Sequence, residues 1–283
     1  MNYKLPRYLR PNPFPRSASE SEKALISSFA EKGYVIVDID SDDFGSLADR
    51  TIADVVPLYE VDPRVQDAWQ RVESVRTLAL QPRLLKILQL LHGRKPFAFQ
   101  TLNFPVGTQQ LTHSDIIHFH SSPAYFMAGV WIAFEDIDAD NGPLHYYPGS
   151  HRLPLFTLDR LGVSGSVEDS RYNYTQLYEP AIQRLIEEQG LVKEEAYVKK
   201  GQALIWAANL LHGGSPIKDR SRTRHSQVTH YFFKGCRYWT PLLSGAGKEF
   251  RRYPFDVSSG KRVTRLGRVW EEEHLLRESR IPW

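Results

Sequence analysis

The chain has 283 residues, with 36 Lys and Arg against 33 Asp and Glu and a net charge of +3. That length buries a substantial core as one elaborated domain, and charges so evenly matched give no reason to expect nucleic acid as the main partner. The single cysteine, Cys236, excludes an internal disulfide, a thiolate zinc site and a cysteine-held iron–sulfur cluster. The first residues lack a secretory apolar stretch, and no segment approaches about 18 uninterrupted apolar residues; the expectation is a soluble, cytoplasmic protein with no membrane partner.

After a basic, proline-rich arm, "SESEKALISSFAEKGYVIVDID" reads as a helix followed by a strand. Ala24, Leu25 and Phe29 share one helical face, Gly33 supplies a left-handed stop, and "YVIVDI" alternates as a strand does. A second helix is predicted from near Ser41, and "RVQDAWQRVESVRTLAL" repeats at helical spacing through Val65, Trp69, Val72 and Val75. Pro82 opens a further helix, "PRLLKILQLLHG", which Gly93 closes.

From about residue 96 short apolar runs rich in aromatic and β-branched residues alternate with Gly, Pro, Asn and Asp, the pattern of a sandwich or barrel. The predicted strands are "PFAFQTLNF", "MAGVWIAFEDI", "PLHYYP", "EAYVKKGQALIWAA" and "SQVTHYFF". An insertion at 155–190 ends in the helical "EPAIQRLIEEQG", and the tail after Cys236, with "FRRYPF", "GKRVTRLGR" and "WEEEHLLRE", is expected to pack on the body or form a lid. The whole of 1–283 thus reads as a mainly β protein with flanking helices: arm and helical support over 1–95, a β core over 96–235 and a C-terminal extension over 236–283.

The segment "LTHSDIIHFHSSP" concentrates His113, Asp115, His118 and His120 in a chain with ten histidines. Ligands one residue apart on a strand point to the same side. Both His113 with Asp115 and His118 with His120 have that spacing, so local geometry leaves two candidate pairs. A third ligand must come from a distant strand end, and His212 qualifies, between the apolar "ALIWAANLL" and the turn-forming "GGSP". Two neutral imidazoles and one carboxylate would make a facial triad that leaves three positions of an octahedral ion open, for which ferrous iron, Fe(2+), is the expected metal.

These residues resemble the phytanoyl-CoA dioxygenase family of iron(II)- and 2-oxoglutarate-dependent oxygenases, over roughly residues 20–235 and most strongly over 99–151 and 199–233. "THSD" is similar to the family's first ligand motif, and "GVWIAFEDIDADNGPLHYYPGSH" to its Trp-Ala-Asp-Asn-Gly-Pro-Gly-Ser-His block. The resemblance implies a double-stranded β-helix (jelly-roll, cupin-like) core. It sets the register at His113 and Asp115, with His212 as third ligand and His118 and His120 as neighbours. "HGGSPIKDRSRTRHSQVTHYFF" resembles the second signature, in which an Arg anchors 2-oxoglutarate. Arg224 fits that spacing best among Arg220, Arg222 and Arg224, Ser226 shares its carboxylate, and Arg222 stands in reserve; a guanidinium fork suits a carboxylate. Trp131 corresponds to a position beside the co-substrate, and Gln100 and Asn103 to polar contacts with it.

The activity so implied is hydroxylation, or another oxidation, of an unactivated C–H bond of a small organic substrate, with 2-oxoglutarate and O2 consumed and succinate and CO2 released. Desaturation, ring formation and epimerisation use the same machinery; the intact Asp115 disfavours halogenation. Two rival readings use the same ligands: a non-catalytic cupin-like metal-binding or sensor protein, and a zinc-dependent hydrolase or isomerase. Neither needs a dicarboxylate anchor. His118, His120 and His230 are read as structural groups or hydrogen-bond donors near the metal, and His145 and His151 as surface or turn residues. Substrate identity and oligomeric state are not encoded in any motif.

Overall fold

A computed structural model describes residues 4–245 and 247–263. Helix α1 (Glu20–Lys32) begins at a reciprocal cap in which Glu22 N donates to Ser19 Oγ and Ser19 N donates to the Glu22 carboxylate. Gly33 ends it at φ 84°, a conformation that glycine reaches without a Cβ clash, and β1 (Tyr34–Asp38) follows. Helix α2 (Phe44–Val55) comes next.

The helix expected through Val65 to Val75 is broken. Val65–Gln66 instead form an edge strand, β2, opposite Asn103 and Leu102, and only Glu73–Ala79 are helical, as α3. Asp67 explains the break: it sits at φ 55°, and its Oδ1 accepts from Thr101 N and Trp69 Nε1. A short carboxylate side chain that captures nearby donors competes with the helical ladder. Helix α4 (Pro82–His92) runs from Pro82 to a left-handed Gly93 as its punctuation predicts.

The remaining strands are β3 (Pro96–Phe104), β4 (His120–Ser122), β5 (Met127–Ala133), β6 (Leu144–Tyr146), β7 (Glu194–Glu195), β8 (Gln202–Ala207), β9 (His212–Gly214), β10 (Ser226–Phe233), β11 (Arg237–Trp239), β12 (Arg251–Arg252), β13 (Phe255–Asp256) and β14 (Lys261–Arg262). They form a six-stranded antiparallel sheet in the order β1-β8-β5-β10-β3-β2 and a smaller sheet, β7-β6-β9, which a bridge from His113 to His212 extends. Together these make a double-stranded β-helix, or jelly roll. Side-chain alternation divides the large sheet. Leu102, Phe104, Trp131, Leu204 and Val228 join Leu144 and Tyr146 in one core cluster, while Val130, Ile132, Ala203 and Ile205 pack with Phe29, Leu84, Leu88 and Leu91 of α1 and α4. With both faces covered, β3, β5 and β10 are buried at every residue.

The run "EAYVKKGQALIWAA" is two strands, because the chain leaves the small sheet after β7, turns at Gly201 (φ 90°) and enters the large sheet as β8. The insertion is helical over α5 (Ser170–Tyr172), a π-helical Asn173–Tyr178 and α6 (Glu179–Glu188). The tail packs on the body as far as it is described, since β11 pairs with both β4 and β12; "WEEEHLLRE" and most of "GKRVTRLGR" lie outside the described residues. Among the described residues, no helix is long and apolar enough to cross a membrane.

Gly129 of β5 faces Trp206 of β8 across the sheet, and a Cβ added there would fall inside the indole ring. Gly129→Ala is therefore predicted to destabilise the protein by about 1–3 kcal/mol, the usual range for overpacking a filled core, as a lowered urea midpoint. An unchanged midpoint would mean that the ring has room the packing does not reveal.

Candidate functional site

His113 and His212 exchange two backbone hydrogen bonds, His113 N to His212 O and His212 N to His113 O, each 2.9 Å. This antiparallel bridge joins the loop after β3 to the start of β9. In each ring Nδ1 lies against the carbonyl two residues back, Leu111 O at 2.9 Å and Leu210 O at 3.0 Å. An Nδ1–H held by a carbonyl leaves Nε2 unprotonated and aimed away, the state a metal ligand requires. His113 and Asp115 do not share a strand as the spacing argument supposed, because Asp115 opens a 3-10 turn, Asp115–Ile117, capped by Ser114. Nor does "GGSP" turn the chain at once. Gly213 and Gly214 continue β9, and side chains there would collide with Gln110 O and Gln109 N. The glycines let the loop before His113 lie against the strand.

Asp115 Oδ1 stands 3.8 Å from His113 Nε2 and 3.9 Å from His212 Nε2. Among the described residues these three buried side chains are the one group of His, Cys, Asp or Glu able to hold an ion, with donor atoms all within 4.8 Å of one another. Coordination bonds of about 2.0–2.2 Å span such a gap after small rotations. The donor set of two imidazoles and a carboxylate fits a divalent ion. Trp206 Nε1 donates to Asp115 Oδ2 at 2.7 Å, and His230 Nε2 lies 3.8 Å from the same oxygen. Burial pushes the His113 imidazole down to about 3, so it is neutral at ordinary pH. Burial works to raise Asp115, yet the nearby imidazoles and the indole bond outweigh it and take the carboxyl to about 2. A neutral imidazole beside an ionised carboxylate is ready for a metal without prior loss of a proton.

Arg224 is 2% exposed, its Nη2 donates to Val106 O at 3.3 Å, and its Nε and Nη1 have no hydrogen-bond partner among the described residues. Its guanidinium carbon lies 5.0 Å from the Trp131 ring, and Trp131 Nε1 and Ser226 Oγ are also buried without partners. Burial lowers Arg224 to about 10, so it stays a cation at neutral pH. Unsatisfied buried donors are costly, and a carboxylate laid against them satisfies both at once. Arg222, the reserve, pairs with Asp138 at 2.9 Å, and Arg220 is exposed.

Arg224, Trp131 and the three metal-capable side chains line one cavity of about 680 Å³. Gln100 lines it too, but its Oε1 accepts from His230 Nδ1 at 2.9 Å, which holds that imidazole beside Asp115. A register shift in β10 between His230 and Tyr231 falls at this pair. Asn103 is not brought to the cavity. Its Nδ2 donates to Gln227 Oε1, while Gln227 Nε2 reaches Val75 O of α3 on the other face. His118 lines the cavity, 4.9 Å from the Tyr174 ring, whereas His120 stacks on Trp239 at 4.2 Å. His145 and His151 are buried rather than superficial, joined to Thr112 Oγ1 and Ala30 O.

Trp206, Tyr174 and Arg64 were not anticipated. Trp206 could have been found from Gly129, since a strand glycine signals close approach by a neighbour. Tyr174 comes from the π-helical turn of the insertion and receives Gln110 Nε2 at its hydroxyl; π turns recur at functional sites. No pattern marks Arg64.

The family model of Phytanoyl-CoA dioxygenase (PhyH) matches residues 39–226. Peroxisomal phytanoyl-CoA dioxygenase of Rattus norvegicus is 29% identical over 192 residues, which cover 64% of this chain and 52% of that protein, so the match spans about half the relative's length. Among solved structures, the epimerase SnoN in complex with Fe3+, alpha ketoglutarate and nogalamycin RO has a TM-score of 0.61 at 20% identity, covering 82% of this chain and 93% of its own. EctD from S. alaskensis with 2-oxoglutarate and 5-hydroxyectoine has a TM-score of 0.60 at 19% identity, covering 83% and 87%. These two likenesses are of fold. The family match, running over most of the chain and through every metal-capable residue of the cavity, shows that the protein belongs to the phytanoyl-CoA dioxygenase family.

Proposed function

We propose that the protein is an Fe(II)- and 2-oxoglutarate-dependent dioxygenase that hydroxylates, or otherwise oxidises, an unactivated C–H bond of a small organic substrate. The observation that carries this reading is the pairing, in one cavity, of the His113–Asp115–His212 donor set with a buried arginine whose Nε and Nη1 have nothing to bond. SnoN in complex with Fe3+ and alpha ketoglutarate, and EctD with 2-oxoglutarate, have folds of this kind, and that supports the assignment. We read His113, Asp115 and His212 as the ligands and Arg224, with Ser226 and Trp131, as the anchor for the far carboxylate of 2-oxoglutarate.

When bound, iron and 2-oxoglutarate supply oxidative decarboxylation by dioxygen, yielding succinate, CO2 and an oxidised substrate carbon. The protein's share is placement. Leu111 O and Leu210 O fix the two imidazoles, Trp206 orients Asp115, and Gln100 holds His230 alongside. Arg224, itself buried, remains charged and so selects a dianion over neutral carbonyl compounds. Leu102, Phe104, Phe119, Leu144 and Val228 give the cavity apolar walls that exclude water from the reacting carbon. A zinc hydrolase or a cupin-like sensor on the same ligands leaves the Arg224 donors without a purpose. With one cysteine and so no internal disulfide, we place the protein in a reducing compartment such as the cytoplasm.

Asp115→Ala and His212→Ala should abolish iron-dependent succinate formation from 2-oxoglutarate, while His120→Ala should bind iron as the parent does. If His120→Ala strips the metal and His113→Ala does not, the ligand assignment is wrong. Trp206→Phe removes the indole bond to Asp115, together with part of the ring packed on Gly129, and should cost about 10–100-fold in metal affinity or turnover, the usual effect of losing a ligand's supporting hydrogen bond. Arg224→Gln should raise the 2-oxoglutarate KM by about 10–100-fold, as charged hydrogen bonds of this kind contribute roughly 1.5–3 kcal/mol, with succinate as the readout. An unchanged KM would remove the arginine from the co-substrate site.

A further inference from the structure

Arg64 precedes β2 and lines the same cavity as the metal-capable residues. Its backbone N–H donates to Asp62 Oδ1 at 2.8 Å, but its guanidinium makes no hydrogen bond and no ion pair among the described residues. Its Nε is fully buried without a partner, and the guanidinium carbon lies 5.8 Å from the Phe104 ring. Burial works against the Arg64 charge, while Tyr174, Asp115 and Asp62 favour it from a distance, and the charge in turn lowers the imidazoles of His113, His118 and His230.

A second lone cation in one cavity calls for an explanation. Taken with the proposed function, a divalent ion, the Asp115 carboxylate, the 2-oxoglutarate dianion and the Arg224 cation cancel one another in charge. Arg64 is left over. Glu179 also lines the cavity, but burial shifts its carboxyl toward the neutral form, and it makes no ion pair with Arg64. Gln66, Pro63 and Leu102 also line the cavity, and Phe104 lies against Arg64. Asp62 and Asp115 attract the Arg64 charge without bonding it, and a buried Nε with no partner is costly unless a ligand completes it.

We infer that the substrate carries an anionic oxygen group, a carboxylate or a phosphate ester, on a largely apolar body, and that Arg64 binds this group while the body lies along Leu102, Phe104 and Val228 toward the metal. The inference deepens the oxygenase reading and rests on it for the meaning of substrate. The anion site itself rests only on Arg64 and the cavity. A planar guanidinium grips either oxygen group with two parallel hydrogen bonds.

The test uses the full chain without oxygen, with and without iron and 2-oxoglutarate, and octanoate, octyl phosphate and the neutral octanamide as probes. Thermal unfolding should shift upward with octanoate or octyl phosphate and not with octanamide, and the preferred anion identifies the substrate's group. Arg64→Gln should abolish that difference and weaken the preferred probe by about 10-fold or more, while Arg64→Lys retains part of it. Equal shifts for the anions and the amide, no shift for any probe, or a difference that survives in Arg64→Gln would overturn the proposal. Calorimetry with 2-oxoglutarate on the iron-loaded protein separates the two arginines: Arg64→Gln should leave its affinity within about twofold, and a large loss would assign Arg64 to the co-substrate and overturn the substrate role. If the parent protein binds no 2-oxoglutarate yet discriminates octanoate from octanamide through Arg64, the anion site stands and the oxygenase reading falls.

Discussion

The site depends on a pair of backbone hydrogen bonds. His113 and His212 lie far apart in the sequence, and their mutual N–H to carbonyl bonds fix both Cα positions before any side chain is considered. From that bridge the rest follows locally. Each ring meets the carbonyl of the residue two before it, so neither imidazole needs a distant partner to find its orientation. The glycines at 213 and 214 let the preceding loop close over the strand. Two metal-capable imidazoles are thus set by the main chain, and preorganisation of this kind would spare a metal from ordering its own site.

The carboxylate is placed differently. Asp115 leaves the strand in a 3-10 turn and turns back to face both imidazoles, held from the other side by Trp206. The indole reaches it because Gly129 leaves the space that a side chain would fill. The imidazoles and the indole hold this buried carboxylate in its ionised form, and an ionised carboxylate facing two imidazoles is a donor set that a divalent cation completes. The arginine end has the converse character. Arg224 carries positive charge and spare donors in a closed space, and the cavity between the two ends has apolar walls. Complementary deficits at the two ends describe a ligand that chelates at one end and is anionic at the other.

Much of this was readable from the residues. Periodicity and punctuation located α1, β1 and α4 to within a residue or two, because capping at Ser19, Gly33, Pro82 and Gly93 is a local matter. The strand composition from residue 96 onward announced a sandwich or barrel. What failed was long-range. The sequence through Val65 repeats like a helix, yet Asp67 reaches Thr101 and an edge strand forms. The His113–Asp115 spacing suggested ligands on one strand, yet the carboxylate arrives through a turn. Asn103 is the local exception: three residues from Gln100 on β3, it falls on the opposite face by alternation alone, and of the two only Gln100 lines the cavity. Arg64 has no motif because its meaning lies in what is absent around it, and that is a property of the folded cavity.

Anaerobic titration of 2-oxoglutarate into the iron(II)-loaded protein, followed by the visible metal-to-ligand charge-transfer absorption, tests the central claim most directly. Chelation at His113, Asp115 and His212 with the far carboxylate on Arg224 predicts an absorption band that saturates at one equivalent per chain. Iron held at the site with no band at any 2-oxoglutarate concentration would contradict the account.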